Sequence, residues 1–149
     1  MPQIEKDYIL TGKVKYIFVD FPLRSIHKSA SKLAEAAHCA GEQGKYWEMN
    51  GRLFAHQKGL KLEDLPSHAR AVGLDTKTFQ LCLDSGKYAS EIRRDMAKAR
   101  RAGVRSTPTF LLGFTQPDGK VKAVKMIRGA QPYAVFKQAI ESLFTSKKR

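Results

Sequence analysis

The sequence predicts an α/β fold, and three features carry that expectation. Val14-Lys-Tyr-Ile-Phe-Val-Asp-Phe21 is rich in β-branched and aromatic residues and apolar at both parities, the pattern of a strand covered on both faces. Thr109-Phe-Leu-Leu-Gly-Phe114 and Val121-Lys-Ala-Val-Lys-Met-Ile127 flank Gln116-Pro-Asp-Gly119, whose proline and glycine suit a turn, so these two runs read as a hairpin. Between them, from Ser25 to about Arg101, the apolar residues recur at helical spacing.

Taken in order, Pro2 to Leu10 reads as a short helix, with proline where it loses no intrahelical bond, and Thr11-Gly12 ends it. The strand 14–21 follows and stops at Pro22. The helical block opens with an Ala-rich stretch over 28–43. A second helix carries Trp47, Leu53 and Phe54, whose spacing assigns them to the core, and shorter segments start near Leu62 and Asp75. Gly44, Gly59, Gly73 and Gly86 break it. Asp75 and Thr76 are N-cap candidates for a helix with Phe79, Leu81, Cys82 and Leu83, and Gly86 suits its C′ position. After the hairpin, Pro132 starts an amphipathic helix with Val135, Phe136, Ala139, Ile140 and Leu143, then a polar, frayed tail. With no repeat and no long linker, residues 1–149 read as one domain with a helical insertion over about 25–102.

A chain of 149 residues is long enough to bury roughly 68–70% of its unfolded surface without a metal or disulfide framework. Its 42% hydrophobic and 28% charged residues, with 6 Pro and 11 Gly, exclude collagen-like and largely disordered chains. No apolar run approaches the roughly 18–20 residues needed to cross a bilayer. Met1-Pro-Gln-Ile-Glu-Lys-Asp has no basic segment leading into an apolar one, so nothing in the sequence as written directs export. The net charge of +13 is uneven: residues 1–75 hold 11 Lys/Arg against 9 Asp/Glu, and residues 76–149 hold 16 against 5. The excess falls on Arg93, Arg94, Lys98, Arg100, Arg101 and Arg105, and on Lys147-Lys148-Arg149.

The most specific motif is Gly103-Val-Arg-Ser-Thr-Pro-Thr-Phe110, where a polar helix ends in glycine and an X-Pro step leads into an apolar strand. Joined to the order of elements, it resembles the cis-proline loop of the thioredoxin superfamily, which implies a cis Thr107-Pro108 bond. Three more segments narrow the resemblance to DsbA-like thiol:disulfide oxidoreductases, which are protein disulfide isomerase-like. They are Thr11 to Leu23, Ala36-Ala-His-Cys-Ala-Gly-Glu-Gln-Gly-Lys-Tyr-Trp-Glu-Met49, and Phe79-Gln-Leu-Cys-Leu-Asp-Ser-Gly-Lys-Tyr88. The resemblance implies a thioredoxin-like fold and substrate proteins with cysteine thiols or disulfides. It implies substrate contacts at Thr107 and Pro108, with Val104, Arg105 and Ser106 shaping the approach, and an extracytoplasmic, periplasmic setting. It calls for no cofactor.

One departure outweighs these matches. The family's redox centre is a Cys-x-x-Cys at the start of the helix after the first sheet strand, and this sequence contains no Cys-x-x-Cys. Pro2 to Leu10 then corresponds to the end of that helix, and the first central strand has no counterpart. Three outcomes are expected: the sheet closes up, a second chain supplies edges, including as a homodimer through exposed strand edges, or the fold is marginal. The chain itself is expected to be redox-inactive. A non-catalytic peptide-binding module is the alternative.

Cys39 and Cys82 lie 43 residues apart in apolar helical contexts and read as buried or structural. Free thiols and a disulfide both fit; the resemblance favours the disulfide, because matching segments often carry a cysteine pair, and a bridge implies an oxidising compartment. His27, His38, His56 and His68 have no ligand spacing, so no metal is assigned. Gly41-Glu-Gln-Gly-Lys45 lacks P-loop spacing and reads as a helix break. Arg93 to Arg105 has no aromatic stacking platform, so specific nucleic-acid binding is not expected; a surface attracting anions or acidic proteins stays open.

Overall fold

The computed structural model describes residues 2–23 and 27–146. Met1, the start of the helical block at Ser25 and the basic end Lys147–Arg149 lie outside the described residues. The fold is mostly helical, with a two-stranded antiparallel sheet among the described residues. The chain divides into two compact units, Met1–Phe18 with Gly103–Arg149, and Val19–Ala102.

In the first unit the chain opens with a helical turn α1 (Pro2–Ile4) that continues as a π-helical turn over Glu5–Ile9. Strands β1 (Thr109–Thr115) and β2 (Val121–Arg128) form the expected hairpin, and the terminal helix (Tyr133–Ser146) packs against α1 and β1. Ile4, Tyr8, Ile127, Phe136, Ala139 and Ile140 make its core. Phe136, Ala139 and Ile140 stand at i, i+3 and i+4 and share one helical face. Val135 is 39% exposed, against the sequence reading, because one residue's step of about 100° turns it off that face. Two phenols tie the N-terminal turn to the terminal helix: the Tyr8 hydroxyl donates to Glu141, and the Tyr133 hydroxyl to Asp7. Burial chiefly raises the Tyr8 pKa, and the Asp7 hydrogen bond chiefly raises that of Tyr133, so both stay protonated donors.

The segment expected as a strand over 14–21 is not one. Its burial alternates with the period of a strand: Val14, Tyr16, Phe18 and Asp20 are half-buried, while Lys15, Ile17 and Val19 are exposed, Ile17 by 51% and Val19 by 49%. An extended run becomes a strand only by pairing, and the sheet among the described residues contains β1 and β2 alone. The sheet has therefore not closed up onto this segment, and the run is not covered on both faces.

The second unit is helical: α2 (Ala30–Gly41), α3 (Tyr46–Ala55), α4 (Leu65–Ala71), α5 (Thr76–Ser85) and α6 (Ala89–Arg101), with a short 3₁₀ turn at Leu62–Asp64; the terminal helix is thus α7. Asp75 caps α5 by accepting a 2.7 Å bond from the Thr78 amide, and Gly86 ends it in the left-handed region. The core joins Ala36, Cys39 and Ala40 of α2 to Met49 and Leu53 of α3, Leu65 and Ala69 of α4, and Phe79, Cys82 and Leu83 of α5. Trp47 and Phe54 were expected in that core and are instead 54% and 58% exposed. Seven residues apart, they share a stripe of α3, whereas Leu53 lies about 120° round the helix and is the one buried.

The hairpin contains a β-bulge. Leu112 pairs with Lys125 and Gly113 with Ala123, which leaves Val124 as the extra residue. The bulge brings the partner backbone onto Gly113: a β-carbon there would lie 2.1 Å from the Lys122 carbonyl oxygen and 2.7 Å from the Ala123 Cα. Gly113→Ala is expected to cost about 1–3 kcal/mol through backbone displacement and to lower the melting temperature by roughly 2–10 °C. An unchanged melting curve for this variant, measured by circular dichroism, contradicts the close approach.

Candidate functional site

The candidate substrate loop runs from the end of α6 into β1, and each residue is placed by its own backbone. Gly103 has φ of 87°, a conformation side chains disfavour, and turns the chain out of the helix. Val104 is buried and anchors the loop, while Arg105, Ser106, Thr107 and Pro108 are exposed. The Thr109 hydroxyl donates to the Ser106 carbonyl at 2.7 Å, and the Gly129 amide to the Pro108 carbonyl at 2.8 Å, so both ends of the exposed stretch are pinned. Arg105 Nη1 donates to the Val104 carbonyl at 3.3 Å. The Thr107–Pro108 peptide bond is cis. Four consecutive exposed residues, the first of them charged, thus stand at the head of β1.

The cysteines sit in the other unit and are joined. Cys39 of α2 and Cys82 of α5 form a disulfide with Cα atoms 5.8 Å apart, and the two residues are 1% and 7% exposed. Exchange requires an attacking thiolate to reach a sulfur, and both cysteines are withdrawn from solvent. Neither cysteine belongs to a Cys-x-x-Cys pair. Sequence reasoning therefore located the sulfurs and their burial; their pairing follows from α2 packing directly on α5.

Beside Cys39 the structure shows a polar cluster that the sequence reading did not single out. His38 Nε2 lies 2.8 Å from Asp20 Oδ2, with side chains only 20% and 13% exposed. The imidazole stacks on Tyr88 at 4.9 Å and meets the edge of Tyr46 at 5.5 Å. The Tyr88 hydroxyl donates to Glu42 Oε1 at 2.7 Å, and Lys87 also pairs with Glu42. The hydrogen bond to Asp20 raises the His38 pKa, opposed by desolvation and helped by the charges of Asp20, Glu91 and Asp95. Burial, with the Glu42 hydrogen bond, pushes the Tyr88 phenol up to about 12. The available signal was Asp20 itself, a carboxylate inside Phe18-Val-Asp-Phe21 that needs a partner if half-buried. Of the other histidines, His68 is buried and accepts from Arg52 Nε at 2.9 Å, which fixes it as neutral; burial lowers its pKa. Among the described residues no group of three or more His, Cys, Asp or Glu is placed to hold a metal.

The geometry accords with the comparisons. The sequence model of the family described as thioredoxin matches residues 1–147, so the chain belongs to the thioredoxin family. Within that superfamily it is DsbA-like. The crystal structure of alpha-DsbA1 from Wolbachia pipientis superimposes with a TM-score of 0.80 at 25% identity, covering 97% of this chain and 75% of that one. In sequence the chain is 38% identical over 118 residues to Na(+)/H(+) antiporter NhaA 3 of Salinispora tropica, which is 79% of this chain and 18% of the antiporter. It is 37% identical over 106 residues to Na(+)/H(+) antiporter NhaA 1 of Salinispora arenicola, 71% of this chain and 16% of that protein. The chain thus spans less than a fifth of the length of these curated relatives. Among its own described residues no helix is long and apolar enough to cross a membrane.

Two measurements follow from this geometry. Replacing both cysteines by alanine, or reducing the bridge, is expected to cost about 2–4 kcal/mol, since a loop of this size is released in the unfolded chain; a melting temperature indifferent to dithiothreitol contradicts a bridge that supports the fold. For His38 the folded pKa is raised, so its stabilisation is complete below the unfolded value of about 6.5 and fades as pH rises through the folded value. Asp20→Asn is therefore expected to cost about 1–2 kcal/mol at pH 5.5 and less at pH 8.5. Denaturant titrations at the two pH values check this, and an equal cost at both refutes the assignment.

Proposed function

We propose that the chain serves thiol:disulfide exchange as the substrate-facing part of a DsbA-like oxidoreductase and performs no redox turnover with its own cysteines. The observation that carries this reading is the division of labour between two places: an exposed, backbone-pinned loop over Arg105–Pro108 at the head of β1, and a pair of cysteines sealed in a buried disulfide. Substrates of this reading are proteins bearing cysteine thiols or disulfides. The substrate lies extended beside the loop, where main-chain bonding supplies affinity and Thr107 and Pro108 make the contacts; Val104 holds the loop from below, and Arg105 and Ser106 border the approach. Exchange itself needs a thiolate with access to the substrate sulfur, which a dithiol outside these residues supplies. The Cys39–Cys82 bridge supports an oxidising compartment. The antiporter names add nothing to the reading, because the match covers so little of those proteins.

The test uses the full chain. In an insulin-reduction assay with dithiothreitol it is expected to give no acceleration over the blank. Titrating a cysteine-containing peptide, thiol-blocked, into ¹⁵N-labelled protein is expected to shift amides over 104–111, and Arg105→Glu to alter the affinity severalfold. Thiol-dependent turnover by the chain alone sinks the redox-inactive part, and peptide-induced shifts confined to other regions sink the assignment of the loop.

A further inference from the structure

Residues 59–73 are held on the helical unit by one polar tie. Among the described residues, the bond from Arg52 Nε to His68 Nδ1, at 2.9 Å, is the one side-chain hydrogen bond or ion pair that joins them to the rest of the chain; Lys61 and Glu63 pair within the segment. The rest of the hold is apolar. Leu65, His68 and Ala69, at i, i+3 and i+4, are the buried residues of α4, and Leu60 and Val72 pack on the same core, which contains Cys39 and Cys82. The segment is bounded by two glycines in the left-handed region, Gly59 at φ of 80° and Gly73 at φ of 78°. Past Gly73 the chain is fixed, because the Asp75 main chain exchanges bonds of 2.9 and 3.2 Å with the Gln43 side chain, and Asp75 caps α5.

The tie exists only while His68 is neutral. Its Nδ1 accepts from a guanidinium, so the lone pair that makes the bond is the one a proton takes, and an imidazolium sets N–H against N–H. His68 is 8% exposed, so little water reaches the ring to share the charge. Its neighbours mostly oppose protonation too: burial is the largest influence and lowers its pKa, and Arg52 of α3 and His56 at the end of α3, whose ring lies 5.3 Å away, lower it further. Asp64, just before α4, acts in the other direction, and from α5 the core presents Phe79, Cys82 and Leu83, none of them charged. We propose that residues 59–73 form a flap released by acid, with the Arg52–His68 bond as its latch, and that the released flap uncovers the Cys39–Cys82 bridge. Opening carries Leu65 and Ala69 off the cluster in which both cysteines are buried. The open form binds the proton more readily, so the latch holds above about pH 6.5 and weakens below it, by up to about tenfold per pH unit until the folded pKa is passed. Opening is read directly, so the exchange activity proposed above plays no part in it.

The experiment is amide hydrogen exchange of the full chain, followed by mass spectrometry at pH 7.5 and 5.5 and corrected for the intrinsic rate at each pH. Protection over 59–73 is expected to fall about fivefold or more on acidification, and that of α2 and α5 less than about twofold. In His68→Asn, whose amide oxygen stands where Nδ1 does and takes up no proton in this range, the fall is expected to vanish; in Arg52→Leu the segment is expected to be poorly protected at both pH values. Reduction of the bridge by a water-soluble phosphine reads the second half of the proposal, each rate being divided by that of the urea-unfolded chain at the same pH. The phosphine takes an oxygen from water to become its oxide, while the disulfide gains two electrons and two protons and leaves as two thiols. That ratio is expected to rise about fivefold or more at pH 5.5 in the unsubstituted chain and to stay level in His68→Asn. No acid-dependent loss over 59–73, an equal loss over the whole helical unit, or a loss that persists in His68→Asn overturns the latch; a phosphine ratio indifferent to pH while the segment opens overturns the uncovering of the bridge. If a variant fails to fold, titration of the His68 ring by NMR in the unsubstituted chain replaces it: a midpoint below about 6.5 supports the latch, and one at or above that value overturns it.

Discussion

The bond between Cys39 and Cys82 is the covalent link around which the helical unit is packed. It fixes α2 to α5 at the centre of the helical unit, where Phe79 and Met49 are completely buried. A cross-link of this kind constrains the unfolded chain more than it strengthens the folded one, so its value grows with the loop it closes.

With the sulfurs joined in a buried bridge, the exposed features of the chain lie elsewhere, at the head of the hairpin. The exposed Arg105–Pro108 stretch is held by bonds from Thr109 and Gly129 on either side of it, and the hairpin behind it is bent by a bulge that admits only glycine at position 113. The other unit is organised by polar contacts of a different kind. Asp20 and His38 form a half-buried pair between aromatic rings, with the imidazole leaning toward its charged form, while His68 is kept neutral under Arg52. Two histidines of one unit thus respond in opposite senses to acidification.

The parts legible in the sequence were those written in local chemistry. Asp75 and Gly86 bracket α5 because capping and left-handed backbone depend on the residue itself, and Gln116-Pro-Asp-Gly119 joins β1 to β2 for the same reason. The 104–108 loop was legible because glycine and proline punctuate it, and the cysteines because their apolar surroundings foretell burial. What failed depended on partners. Val14 to Phe21 has strand composition, but a ladder needs a neighbour that composition does not supply. Helical spacing assigned Trp47 and Phe54 to the core together with Leu53, although Leu53 alone lies on the buried side of the helix. The Asp20–His38 pair joins residues 18 apart, a proximity that only the packed chain reveals.

The segment over 14–20 also bears on how the protein behaves in solution. Ile17 and Val19 present about half their surface to water in a segment whose burial alternates as a strand's does, and exposed apolar residues in such a pattern favour association between edges. Lys13 and Lys15 flank and interrupt this run, and the whole chain carries a charge of +13. Colloidal stability then rests on repulsion instead of coverage, and repulsion is screened as ionic strength rises. Added salt accordingly brings these edges within reach of one another, making ionic strength the variable that sets how concentrated the protein can become before it self-associates.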